Sequence, residues 1–160
     1  MEKPITQIKK DRLLQYIYIK GEYEDYQDEL ARLENNQYIP AAKESDGSKK
    51  NPGASDRMAN AVLRRMAYEE SIAADMQRLE DEMASIERSV ACLRDGLERR
   101  VLRMRYIIGS PEGRQHMAWR DIAIRIYGDD DDAQMQAVYR IHGRALQNID
   151  LEVIADTTGK

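Results

Sequence analysis

Residues 117–149, MAWRDIAIRIYGDDDDAQMQAVYRIHGRALQNI, contain two helical patterns separated by a glycine and four aspartates. In the first pattern, residues 117–127, the apolar side chains Trp119, Ile122 and Ile126 recur on one side of a short helix. The second pattern, residues 133–149, is longer. Its inner positions are small or aliphatic, as close packing against another helix requires: Val138, Ile141, Ala145 and Leu146. Two helices joined by a tight turn are the arrangement of a helix-turn-helix.

The outer positions of the second helix are polar. They are Gln134, Gln136, Tyr139, Arg140 and Arg144. Arg can bridge guanine and Gln can bridge adenine through paired hydrogen bonds in the major groove. This face therefore predicts binding to double-stranded DNA. A helical hairpin with a solvated outer face is the alternative that the spacing alone leaves open.

Two long helices are predicted upstream, over residues 4–35 and 57–97, with Ser55 or Asp56 as the N-cap of the second. Spacings of four and three repeat along the second helix, which is a heptad pattern. Its members are Ile72, Met76, Leu79, Met83, Ile86, Val90, Leu93 and Leu97. Residues 36–56, rich in Asn, Pro, Gly, Ser and Lys, read as a loop that lets the helices fold back on each other.

The predicted fold is all-α, a long antiparallel coiled-coil-like hairpin followed by a helix-turn-helix head. The expected domains are residues 1–96, with the loop 36–56, for oligomerisation or partner binding, and 97–150 for DNA binding. Residues 151–160 form a flexible tail. Residues 97–107 are expected to be a short helix and 109–116 a turn.

Composition supports long helices, because 34% of the 160 residues are charged and Phe is absent. The net charge of −4 argues against non-specific binding to nucleic acids. Residues 94–150, however, hold ten Arg against nine acidic residues, four of which are Asp129 to Asp132. Outside that acidic run the segment is basic.

Enzymatic activity is not expected, because the sequence has no phosphate-binding Gly-rich loop, nucleophile–base pair or metal-binding cluster. No cofactor or metal is therefore predicted.

The single cysteine, Cys92, is expected to be a buried thiol. His142 is expected to have no special role, with contact to phosphate or the filling of a gap on the groove side as the alternative. Trp119 is expected to anchor the core. With no signal peptide or membrane-spanning stretch, a soluble cytoplasmic protein is expected.

Three blocks resemble region four of bacterial sigma factors: VLRMRYIIG at 101–109, WRDIA at 119–123 and VYRIHGRALQNI at 138–149. The resemblance covers roughly residues 97–149 and implies insertion into the major groove of promoter DNA. It assigns base reading to five positions and phosphate binding to Arg144. The base-reading positions are Gln134, Gln136, Ala137, Tyr139 and Arg140.

The turn departs from that family, because Gly128 is followed by Asp129 to Asp132. Four carboxylates repel a phosphate backbone, although they also suit the N-terminus of a helix. The promoter-melting regions of a sigma factor are absent. The chain is therefore not expected to be a complete sigma factor.

The whole chain resembles small phage proteins of the ArpU and RinA type, through SDRMANAV at 55–62 and RIHGRAL at 140–146. The resemblance implies a phage regulator that activates late genes, with RNA polymerase as a possible partner. A homodimer is expected, because the heptad stripe from Ile72 to Leu97 is longer than its predicted partner face.

Two other functions stay open. A DNA-packaging subunit similar to a small terminase is one, but its helix-turn-helix would usually precede the oligomerising helices. A partner of RNA polymerase that binds no DNA is the other.

Overall fold

The computed structural model describes residues 3–35 and 52–151, with only the backbone described at 52–55. Every regular element within these ranges is helical, which confirms the predicted all-α class there. The α-helices are α1 (Ile5–Asn35), α2 (Pro52–Ala91), α3 (Gly96–Leu102), α4 (Trp119–Tyr127) and α5 (Asp132–Asn148), and a π-helical segment (Arg103–Ile108) follows α3. None of the helices described is long and apolar enough to cross a membrane.

Helix α2 differs from its prediction at both ends. It begins at Pro52, a residue suited to a first helical turn, so the predicted cap at Ser55 or Asp56 is wrong and residues 52–56 are not loop. It ends at Ala91, and a new helix, α3, follows with Asp95 as its N-cap. The Asp95 carboxylate accepts hydrogen bonds from the backbone N–H groups of Leu97 (2.8 Å) and Glu98 (3.3 Å).

Two other predicted segments lie wholly or partly outside the residues that the structure describes. Residues 36–51 of the predicted loop and 152–160 of the predicted tail lie outside them. Leu151, the first residue of that tail, is buried.

Cys92 was predicted to be buried and is exposed. It follows the last residue of α2, so the helical periodicity that placed it among apolar residues does not extend to it.

The chain forms two compact units. The terminal unit contains the residues up to Gly21 and those from Asp81 onward, and the middle unit contains Glu22–Glu80. Within the middle unit, three contacts join α1 to α2: Tyr26 to Asp75, Glu29 to Tyr68, and the Leu33 carbonyl to Arg65. Residue numbers rise along α1 while they fall along α2, so these two segments are antiparallel.

The predicted heptad stripe of α2 is covered by the chain itself. Five members are buried: Ile72, Leu79, Ile86, Val90 and Leu93. Met76 and Met83 are partly buried, and Leu97 is 38% exposed. The expectation that this stripe offers the surface for a partner is therefore wrong for its buried members. The exposed large apolar residues of α2 come earlier in the helix, at Met58, Val62, Leu63 and Met66.

The core of the terminal unit lies between α3, α4 and α5. A cluster of buried side chains fills it: Val101, Met117, Ile122, Ala123, Val138 and Ile141. Trp119 packs against this cluster and is partly buried, as expected of a core anchor.

Gly109 closes the π-helical segment with φ +70°, and a Cβ there would lie 2.6 Å from the Gln115 carbonyl oxygen. Only glycine fits this close approach.

Candidate nucleic-acid interface

Helices α4 and α5 are joined by a four-residue turn, Gly128 to Asp131. Gly128 ends α4 in the left-handed conformation (φ +76°), and its N–H donates to the Ile124 carbonyl at 2.8 Å. Both helices bury one face against the core cluster, Ile122 and Ala123 from α4 and Val138 from α5. The turn and the shared core thus fix how the outer face of α5 is presented.

A single exposed ridge runs along α5. Gln136, Arg140, Gly143 and Gln147 follow one another at spacings of four, three and four, which places them on one side of the helix, and all four are exposed. Arg144 is exposed beside this ridge. The ridge therefore combines amide and guanidinium groups, the side chains that pair with base edges.

The structure brings together four of the six predicted site residues. Gln136, Arg140 and Arg144 are exposed, and so is Tyr139, whose ring meets that of Trp119 edge-on at 5.3 Å. Gln134 is partly buried and lies about 160° around the helix from Gln136, since each residue advances by about 100°. The Oε1 atom of Gln134 is buried without a hydrogen-bond partner. The helix rotation places Gln134 away from the ridge.

Ala137, the sixth predicted residue, is partly buried and lines a cavity of about 510 Å³ beside the ridge. Apolar side chains and two arginines line the cavity together. Its lining residues are Leu97, Tyr127, Ala137, Arg140, Ile141 and Arg144. The methyl group of Ala137 therefore faces the side of the ridge rather than its crest.

A buried group of rings, not anticipated from the sequence, braces α5 from inside. The Tyr106 hydroxyl lies 2.6 Å from His142 Nε2, and the Trp119 ring meets His142 edge-on at 4.7 Å. Arg105 stacks over Trp119, 4.3 Å from the ring centroid, and its Nη1 donates to the Met117 carbonyl at 2.6 Å. The alternative that His142 contacts phosphate or fills a gap on the groove side is wrong, because its side chain is buried within this brace.

Burial within the brace favours an uncharged imidazole. Burial lowers the pKa of His142 to about 4, and the charges of Lys10 and Arg105 lower it further in the same direction. Burial raises the pKa of Tyr106 to about 12. At neutral pH both groups are therefore uncharged, and their hydrogen bond holds α5 to the π-helical segment.

A second polar contact joins α5 to α3. The Glu98 carboxylate is buried and accepts hydrogen bonds from the Asn148 side-chain amide at 3.0 and 3.3 Å. This contact and the brace fix the C-terminal half of α5 at two points. The burial of His142 was predictable from the sequence, because Val138, Ile141, Ala145 and Leu146 place it on the inner face of α5.

The acidic turn is organised by its own contacts. Arg120 donates two hydrogen bonds to Asp130, at 3.0 and 2.8 Å, and Asp129 Oδ1 accepts from the Asp130 and Asp131 backbone N–H groups. A hydrogen bond with Asp129 and the charge of that residue raise the pKa of Asp131. Asp131 occupies the N-cap position of α5 without a capping side-chain hydrogen bond. Across the described ranges, no three His, Cys, Asp or Glu side chains are grouped to hold a metal ion.

Comparisons of this chain with protein-family models, with curated proteins and with solved structures gave no significant match.

Proposed function

We propose that this chain is a sequence-specific regulator of transcription that inserts α5 into the major groove of double-stranded DNA. The observation that carries the proposal is the exposed α5 ridge with Gln136 and Arg140 on it and Arg144 beside it. In the terms of the sigma-like resemblance, α4 and α5 form the helix-turn-helix and α5 is the recognition helix. A helix of this kind reads bases with its outer face while its inner face is fixed by the domain.

Each arginine has a separate role in this proposal. Arg140, on the crest, reads a base edge through its guanidinium, and Gln136, one turn earlier, reads a neighbouring base. Arg144, beside the crest, binds a phosphate. Ala137 contacts the groove wall through its methyl group, and Tyr139 packs on Trp119 while its exposed edge faces the DNA. Gln134 has the weakest support of the six residues.

The test is a pair of matched substitutions at the two arginines. Arg140→Ala should weaken binding to the preferred duplex by about 1–3 kcal/mol and relax the preference at one base pair. Arg144→Ala should weaken all duplexes alike and reduce the salt slope by about one. Arg125, an exposed arginine in the last turn of α4, provides the control variant Arg125→Ala.

The duplexes for this test come from selection of fragments bound from random or source-genome DNA. If Arg140→Ala and Arg144→Ala both bind like the parent at moderate salt, the assigned face is wrong. If no fragment is enriched at any salt concentration, the chain is better explained as a partner of RNA polymerase that binds no DNA.

Self-association through α2 completes the proposal, with a two-fold dimer as the expected form. Arg65 contacts the carbonyl of Leu33 near the end of α1, so residues 52–64 of α2 precede the antiparallel segment. Met58 and Val62 lie in this range, and Met66 follows Arg65 directly. These three exposed residues repeat at spacings of four and form the exposed stripe of α2. Pairing of two copies would cover these residues and bring two α5 helices to one DNA, which multiplies a weak affinity.

The biological setting rests on the resemblance to phage proteins of the ArpU and RinA type. It favours activation of late genes in the cytoplasm of a bacterial host, with RNA polymerase as a second partner. A packaging subunit similar to a small terminase is the alternative. A solution mass corresponding to a ring of many copies would favour the packaging subunit over the dimer.

A further inference from the structure

Gly143 lies in the middle of the exposed α5 ridge, where the fold does not require a glycine. A Cβ added there would meet no atom within 4 Å. Gly109 differs, since its positive φ and the nearby Gln115 carbonyl exclude a side chain. Glycine within a helix also destabilises it relative to alanine, because the unfolded chain gains freedom. The chain thus has a helix-weakening residue on the surface with no internal reason for it.

The missing side chain leaves a notch in the ridge. Gln136 and Arg140 precede the notch and Gln147 follows it, all on the same side of α5. Arg144, the residue after Gly143, is exposed beside it. At the notch the helix backbone itself is the outermost surface, so a partner can approach it more closely than anywhere else on the crest.

We propose that Gly143 is the point at which the sugar-phosphate backbone of DNA approaches the main chain of α5. This inference rests on the proposed function. The chemistry around the notch favours a nucleic acid, because Arg140 and Arg144 offer charged donors on both sides of it in sequence. A methyl group at position 143 would occupy the space of the approaching strand, so Arg140 and Arg144 would lose their contact distances together.

The experiment compares Gly143→Ala with Gly21→Ala. Both glycines lie within helices, and a Cβ at either would meet no atom within 4 Å. Both variants should raise the thermal midpoint by roughly 1–4 °C, because alanine restricts the unfolded chain. Gly143→Ala should weaken binding to the selected duplex and to mixed-sequence duplex at low salt by about tenfold. Gly21→Ala should bind like the parent. Gly143→Leu, still a good helix former, should weaken binding further.

A rise in stability together with a loss of DNA binding supports the inference, because a merely structural role would move both in the same direction. DNA binding by Gly143→Ala equal to that of the parent would overturn it, and the losses in Arg140→Ala and Arg144→Ala would then leave the proposed function intact. A lowered thermal midpoint in Gly143→Ala would also overturn it, since the fold would then need the glycine. A parent chain that binds no duplex overturns both proposals.

Discussion

In the terminal unit the large apolar side chains of α4 and α5 are mostly turned inward, whereas in the middle unit several on α2 face outward. Ile122 and Val138 are fully buried, while Met58 and Met66 are about half exposed. The polar residues differ as well. The terminal unit buries His142 and Glu98 with hydrogen-bond partners, and the middle unit joins its helices through contacts such as Tyr26 with Asp75.

The difference indicates a division of roles between the units. A tightly packed core, tied by buried contacts such as those of His142 and Glu98, holds side chains in fixed positions, which a surface that reads bases requires. An exposed apolar stripe on a helix adds little to the stability of its own chain and is available to a partner. We therefore expect substitutions in the buried core of the terminal unit to act on folding and those on the exposed stripe of α2 to act on association.

The largest expected effect comes from a cavity in the terminal unit. Ile122→Ala removes a side chain that is fully buried and should lower the free energy of unfolding by about 2–5 kcal/mol. Met66→Ala, on the exposed stripe of α2, should change the free energy of unfolding by less than about 0.5 kcal/mol. Urea unfolding followed by the fluorescence of Trp119, the single tryptophan, measures both. Equal losses in the two variants would remove the distinction between the units.

The second expected effect is a loss of stability in acid that originates in the terminal unit. The pKa of His142 is about 4 in the folded chain and 6.5 in its ordinary range, so the fold favours the neutral ring. The stabilisation is complete above about pH 6.5 and is lost as the pH falls towards 4. His116, whose pKa burial also lowers, contributes in the same direction.

Thermal midpoints measured from pH 7.5 downward, at intervals of about half a unit, test this effect in the parent and in His142→Gln. The parent should lose several degrees more than the variant across the window, because glutamine keeps a polar group but does not titrate. Parallel curves for the two proteins would mean that His142 does not carry the acid sensitivity.

The third effect concerns association rather than folding. Val62→Asp combined with Met66→Asp places charges on the exposed stripe and should halve the mass in solution, with little change in unfolding. Leu79→Asp should instead unfold the chain, because Leu79 is buried. Sedimentation with parallel circular dichroism separates these outcomes. A parent that is already monomeric at micromolar concentration would contradict the dimer.

The sequence was sufficient to predict where the helices lie but not where short polar contacts interrupt them. Apolar periodicity predicted α1, α4 and α5 to within two or three residues. It continued α2 to residue 97, because the heptad pattern carries on through a break that Asp95 creates by capping α3. The π-helical segment, which ends in a hydrogen bond from the Gly109 N–H to the Met104 carbonyl, was not anticipated.

The candidate site shows the same limit. The sequence identified the exposed Gln136, Arg140 and Arg144 but also included Gln134, which helix rotation places away from the ridge. It missed the buried brace, because the contact of Tyr106 with His142 joins residues from separate helices. Residue type and spacing describe one helix at a time, whereas a brace is formed only when helices pack.

The smallest expected effect lies at the acidic turn, where stability and DNA binding should change in opposite directions. Asp132 is exposed in the first turn of α5, and its charge favours the N-terminal end of the helix dipole. Asp132→Asn should therefore cost about 0.3–1 kcal/mol of folding stability. The same change removes one negative charge near the proposed phosphate path, so binding at low salt should tighten a few-fold and the gain should fade as salt rises.

Asp130→Asn provides the comparison, because it also removes the charge that pairs with Arg120 and weakens the two hydrogen bonds between these residues. The positive charge of Arg120 is then no longer offset near this end of α5, so this variant should gain more affinity than Asp132→Asn. Filter binding or fluorescence anisotropy over a salt series measures both gains. Weaker binding in both variants would mean that the aspartates contribute favourably to the DNA complex, and the position of the turn relative to the phosphates would have to be reassigned.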